Sequence, residues 1–293
     1  GVRFGVASVQ LGVRTLLFDD EHVNPEPQQV MEGHRVKVPE PVVVDVRHVG
    51  DASPTGFASP ALASEDGVVE IAELPSGINL CHEAFGDPGD PVVLLMHGLG
   101  SQLLLWEEGF CNGLGAEGFR VVRYDHRDSG CSTILEEGSA YTLSDQVADA
   151  VGLLDHLGGP DAHVVGLSMG GMIAQALTIR HPLRVRSLCS VMSNTGDRKN
   201  GGFSWPLVRQ FGNRPTPTRE TAVAGAAEMF EAISGPWFDP DVYRINAEES
   251  VKRSFTPAGT ARQTAAISAS PDRTAQLGQV GCPTLVVHGM VDP

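Results

Sequence analysis

The chain has 293 residues, 41% of them hydrophobic and 19% charged, which is enough to bury a large core in a water-soluble fold. Asp and Glu number 36 against 21 Lys and Arg, a formal net charge of −15, so nucleic acid and anionic membrane surfaces would repel it. No apolar run reaches the roughly 20 residues that span a bilayer.

The five cysteines (Cys81, Cys111, Cys131, Cys189 and Cys282) are scattered, without a C-x-x-C pair. An odd, dispersed set reads as buried free thiols in a reducing compartment, with neither a disulfide framework nor a zinc site. That points to the cytoplasm. The chain begins at Gly1 without a methionine and ends at Pro293, directly after a candidate acid, so both ends read as cut.

Residues 1–66 are rich in proline and lack sustained periodicity. They read as an irregular N-terminal extension of unknown role with one candidate strand, 41–48. From residue 67 the pattern becomes regular. Runs at 68–74 and 78–85 flank Pro75-Ser76-Gly77, a turn signal, and predict an opening hairpin. Residues 91–96 are continuously apolar, as in a strand covered on both faces. A helix is predicted over 102–117, a second buried strand over 119–125, and an amphipathic helix over 142–157 on the stripe Leu143, Val147, Val151, Leu154. Thr142 with Asp145 has the spacing of a capping box. Further strands are predicted at 162–167, 185–192 and 283–288, with a helix from 169 to 181.

Strands alternating with helices predict an α/β fold with a doubly wound, mostly parallel sheet. The core divides into a first part, 67–193, and a closing strand and acid loop, 281–293. Residues 194–280 interrupt the alternation with helical stretches near 218–233 and 239–254, a long excursion of the kind that covers a site. Phe203, Trp205, Phe211, Phe230, Trp237 and Phe238 would give this cap an apolar lining or a core of its own.

Three motifs carry chemistry. Gly166-Leu167-Ser168-Met169-Gly170, between a strand and a helix, has the spacing that turns the backbone sharply and exposes a serine hydroxyl, with glycines where side chains would clash. His97-Gly98-Leu99-Gly100 follows a buried strand, where backbone N–H groups can stabilise a developing oxyanion. Leu99 and Met169 are the candidate donors, and His97 reads as a loop brace. Asp292, beyond the last strand, is the candidate acid of a Ser–acid–His order, although Asp-Pro pairs are also common turns. The charged run 124–132 reads as an internal Asp–Arg network tying loops together, since unpaired burial of its charges would be costly.

Together these four elements resemble the α/β-hydrolase superfamily over about residues 68–293. The runs 124–133 and 163–170 look like its aclacinomycin-methylesterase-like branch. The resemblance implies a helical cap over the site, Ser168 as nucleophile, Asp292 as acid, and Leu99 and Met169 as oxyanion donors. It implies no cofactor and no metal, and a small apolar ester as substrate, with methyl esters favoured. The family's catalytic histidine follows the acid by a few tens of residues, after one more strand. The expectation is therefore that the base and a C-terminal strand–helix unit lie beyond Pro293, that this form is inactive or nearly so, and that the sheet has an open edge. Carbon–carbon bond hydrolases and perhydrolases share the serine, and a non-catalytic ligand-binding protein of the same fold remains the alternative.

Overall fold

A computed structural model describes the backbone of Val42–Val44 and residues 69–199, 209, 214–234 and 239–289. Among these the strands are β1 (Val42–Val44), β2 (Glu70–Glu73), β3 (Asn79–Phe85), β4 (Val92–Met96), β5 (Arg120–Tyr124), β6 (Ala162–Leu167), β7 (Val185–Val191) and β8 (Thr284–Val287). The helices are α1 (Glu108–Ala116), α2 (Leu143–His156), α3 (Met169–Arg180), α4 (Arg219–Ile233), α5 (Pro240–Arg253), α6 (Pro257–Ser268) and α7 (Thr274–Leu277).

The strands form one sheet in the order β1-β8-β7-β6-β4-β5-β3-β2. β4 to β8 run parallel, and the predicted hairpin β2–β3 adds an antiparallel edge. All five residues of β4 are buried and apolar, as strands covered on both faces require. Val92, Leu94 and Met96 join one hydrophobic cluster with α2 and α3, while Val93 and Leu95 join another with Trp106, Phe110 and Leu114 of the α1 side. Each large aliphatic side chain so buried contributes about 2 kcal/mol.

α2 starts as its spacing predicts: the Asp145 carboxylate accepts from the Thr142 N–H at 2.8 Å and from its hydroxyl at 2.7 Å. Residues Met169 to Thr178 of α3 are all buried, so this helix is enclosed round its circumference.

Four expectations need correction. The helix expected over 102–117 is divided into a short 3-10 turn, Leu103–Leu105, and α1. The Leu103 N–H is taken by Asp125 Oδ1 at 2.8 Å, and Gln102 donates to the carbonyls of Ser250 and Ser254, so tertiary partners draw this stretch out of the helix. The open edge expected on β8 is filled by β1, which pairs with it in parallel, Val43 opposite Val286. Part of the extension is thus sheet; the rest of residues 1–66 lies outside the described residues. The cysteines are not all buried, since Cys131 is exposed and Cys282 half-buried. The cap holds α6 and α7 besides the two helices its sequence marks.

Candidate active site

β4 lies between β5 and β6, so the chain leaves β4 toward one side of the sheet and later returns on the other. Loops at the carboxyl ends of strands flanking such a switch point diverge and leave a crevice between them. Met96 pairs with Gly166, which brings His97-Gly98 beside Leu167-Ser168. A Cβ placed on Gly98 would sit 3.4 Å from Ser168 Cβ, so the two candidate motifs are in contact.

Ser168 is half-buried, with φ 55° and ψ −116°, a left-handed backbone that non-glycine residues rarely adopt. Such strain persists only where the surroundings enforce it. Here the Ser168 N–H donates to Val191 O at 2.8 Å, and its carbonyl accepts from Ser193 Oγ at 2.8 Å. Side chains at Gly166 and Gly170 would collide with the Gly170 and His97 carbonyls respectively, so both glycines are obligatory for the turn. Met169 is buried and opens α3, where the first N–H groups have no acceptor within the helix. Leu99 is half-buried in the facing loop. Asp292 lies outside the described residues, as do Phe203, Trp205, Phe211, Trp237 and Phe238; β8 carries the chain toward Asp292 as far as His288 and Gly289.

His97 is fully buried and braces the loop, as its position after β4 suggests. Its Nε2 accepts from the His126 N–H at 3.2 Å, which leaves Nδ1 to donate to Gly98 O at 2.8 Å. Burial holds the imidazoles of both His97 and His126 below their usual value, so both are neutral near pH 7. His126 Nε2 donates to His97 O at 3.2 Å, and His163 Nδ1 pairs with Ser187 Oγ at 2.8 Å.

The run 124–132 forms the expected Asp–Arg network. Arg127 holds Asp149 of α2 through two hydrogen bonds of 2.6 Å. Asp128 receives a two-pronged contact from Arg262, both bonds 2.7 Å, and Asp125 an ion pair from Arg253 at 2.5 Å. Burial opposes ionisation of Asp128, but Arg262 and the Leu135 N–H outweigh it and hold the carboxyl below its usual range. Asp125, Cys81 and Cys131 bring three potential metal-ligating atoms together, with the Arg253 guanidinium among them.

Sequence reasoning missed the residues within 194–280 that hold the loop after β4. Gln263, fully buried on α6, accepts the Gly100 N–H at 2.9 Å and donates to Arg127 O at 3.3 Å. Arg253 Nη1 also donates to Gln102 Oε1 at 3.0 Å, and Asn246 Nδ2 to Leu104 O at 3.0 Å. The available signal was the helical spacing of Gly259, Gln263 and Ala266, the three buried positions of α6, which is small and polar instead of apolar.

Residues 91–293 match the model of the alpha/beta hydrolase fold family. Over 240 residues, 74% of this chain and 80% of the relative, it is 29% identical to the rhodomycin D methylesterase DnrP of Streptomyces peucetius. Over 224 residues, 74% and 77% of the two chains, it is 29% identical to 3-oxoadipate enol-lactonase 2 of Acinetobacter baylyi. The enol-lactonase structure from Burkholderia xenovorans LB400 superposes with a TM-score of 0.56 at 23% identity, covering 76% of this chain and 92% of that one. The methylesterase resemblance read from the motifs thus recurs among these relatives. With the family's fold present from β2 to β8 and its model matched over residues 91–293, the chain belongs to the α/β-hydrolases.

Proposed function

We propose that Ser168 is the nucleophile of a serine hydrolase that cleaves the carboxylic ester of a small apolar molecule. The observation that carries this reading is the strained Ser168 backbone at the turn from β6 to α3, in contact with the glycine loop after β4. Structures do not maintain such a conformation without support, and here Gly166, Gly170 and two hydrogen bonds to the Ser168 backbone, one from the Ser193 hydroxyl, support it.

In the proposed mechanism Ser168 Oγ attacks the ester carbonyl. The Leu99 and Met169 N–H groups hold the oxyanion, each contributing about 3 kcal/mol to transition-state stabilisation. A histidine oriented by Asp292 takes the serine proton and returns it to the departing alkoxide; water then releases the acyl group by the same route. His97, His126 and His163 are committed to core hydrogen bonds and do not suit that role. The names of the two relatives support the ester class, since methyl-ester and enol-lactone hydrolysis both break an acyl–oxygen bond.

The test is covalent labelling. A fluorophosphonate should modify Ser168 in the full-length form that carries the histidine, and Ser168→Ala should abolish the modification. An unlabelled Ser168 in a protein that still binds a small apolar ester would replace this reading with that of a non-catalytic receptor.

A further inference from the structure

β3, the loop after β5 and the end of α5 converge on two cysteines. Cys81, on β3, is buried; Cys131, on the loop, is exposed. Their sulfurs and an Asp125 carboxylate oxygen all lie within 4.8 Å of one another. The backbone enforces this approach. The Cys81 N–H donates to Ser132 Oγ at 2.9 Å, that hydroxyl donates to Asp125 O at 2.6 Å, and the Asp125 N–H returns to Cys81 O at 2.9 Å. On the other side, the Cys131 N–H donates to Asp125 Oδ2 at 3.0 Å.

Two sulfurs and a carboxylate could suit a soft metal ion, but Arg253 argues against one. Its Nη1 lies 2.5 Å from Asp125 Oδ2 and its Nη2 donates to Cys81 Sγ at 3.2 Å, so a guanidinium already stands where a cation would. Burial, reinforced by the Asp125 charge, pushes the Cys81 thiol up to about 12, against the opposing pull of Arg253. A metal would have to deprotonate it. The remaining chemistry is that of a pair: one thiol reachable from solvent and a second sulfur directly behind it.

We propose that Cys81 and Cys131 form a reversible dithiol–disulfide pair, with hydrogen peroxide as oxidant. The Cys131 thiolate attacks one peroxide oxygen and the O–O bond breaks. Sulfur gives up two electrons to become a sulfenic acid, and the released hydroxide combines with the thiol proton as water. The Cys81 sulfur then attacks the sulfenic sulfur; the S–S bond forms, the S–O bond breaks, and the hydroxyl leaves with the Cys81 proton as a second water. Arg253 stabilises negative charge on Cys81 as it attacks. The sulfurs must close to about 2.05 Å, a movement made on the exposed Cys131 side.

Peroxide treatment followed by alkylation in denaturant and peptide mass spectrometry tests the pair. A peptide linking Cys81 to Cys131 is expected, reversed by dithiothreitol, while Cys111, Cys189 and Cys282 remain alkylated. In Cys81→Ala the sulfenic acid on Cys131 should accumulate and be captured by dimedone. In Cys131→Ser, an exposed change with little bearing on folding, the linked peptide should vanish and Cys81 remain an alkylatable thiol. Absence of the linked peptide from oxidised wild type, or equal dimedone capture with and without Cys81, would overturn the proposal.

Discussion

Strands β4 and β6 and the cap helices α4 to α6 are held in place by different kinds of interaction. β4 is buried throughout, and five of the six residues of β6 pair in register with it. In contrast, α4 and α5 bury none of their residues, and α6 buries only Gly259, Gln263 and Ala266. Apart from Ala266 and Ile267 of α6, which pack on the core cluster of α2 and α3, these helices reach the core through polar bonds: Arg253 to Asp125, Arg262 to Asp128, Gln263 to Gly100, Asn246 to Leu104. Those bonds end on the loops after β4 and β5, the first of which touches Ser168. Close packing therefore sets the turn at Ser168, whereas a few directional bonds hold the helices of 194–280 to the loops after β4 and β5.

A change in the packed region should have the largest effect. Gly170→Val places a side chain against the Met96 and His97 carbonyls, backbone atoms that cannot move without disrupting β4. We expect a loss of about 4 kcal/mol or more, or no folded protein, as read by urea denaturation. A variant with wild-type stability would show that the elbow is looser than its packing implies. In α6, Arg262→Ala should cost about 3 kcal/mol, because it leaves the Asp128 carboxylate buried without its guanidinium, the Leu135 N–H still donating to Oδ1. A loss below about 1 kcal/mol would mean that the cap does not depend on this tether.

The same contrast explains what could be read in advance. Periodicity and continuous apolar runs reveal strands and helices that bury hydrophobic surface, so β2 to β8, α2 and α3 were all legible. The elbow was legible because its glycines answer a steric demand visible as spacing. α6 was not, since Gln263 and Gly259 face the core for hydrogen bonding and close approach, and neither raises an apolar signal. The division of 102–117 escaped for a related reason: the group that draws Leu103 from the helix is Asp125, on another strand. β1 was visible as a candidate strand in Val42, Val43 and Val44, but its pairing with β8 is a long-range choice that no local pattern encodes.

Gln263→Leu tests the boundary between the two regions. It keeps much of the side-chain volume and leaves the Gly100 N–H without its acceptor, at a cost of about 2 kcal/mol. If α6 also positions the proposed oxyanion loop, ester turnover of the full-length form should fall mainly through kcat, with KM little changed. A fall in kcat/KM matched by a rise in KM, with kcat unchanged, would assign Gln263 to substrate binding instead.

Acidification separates the regions in one sample. His97 and His126 are held neutral by burial, with folded values below the ordinary 6.5. The unfolded chain therefore takes up protons first as pH falls below 6.5, and stability declines there; above that value this contribution is fully present. Each such histidine can contribute a slope of up to about 1.4 kcal/mol per pH unit until its folded value is reached. The Arg262–Asp128 tether behaves differently, because arginine stays charged and Asp128 is held below 3.8. Between pH 7 and about 5 the core beneath the Ser168 loops should thus weaken while this cap tether persists. Urea denaturation at both pH values should show the decline, and His126→Gln, which retains a side-chain donor but cannot titrate, should flatten it. An unchanged slope in that variant would shift the pH dependence away from the His97–His126 pair.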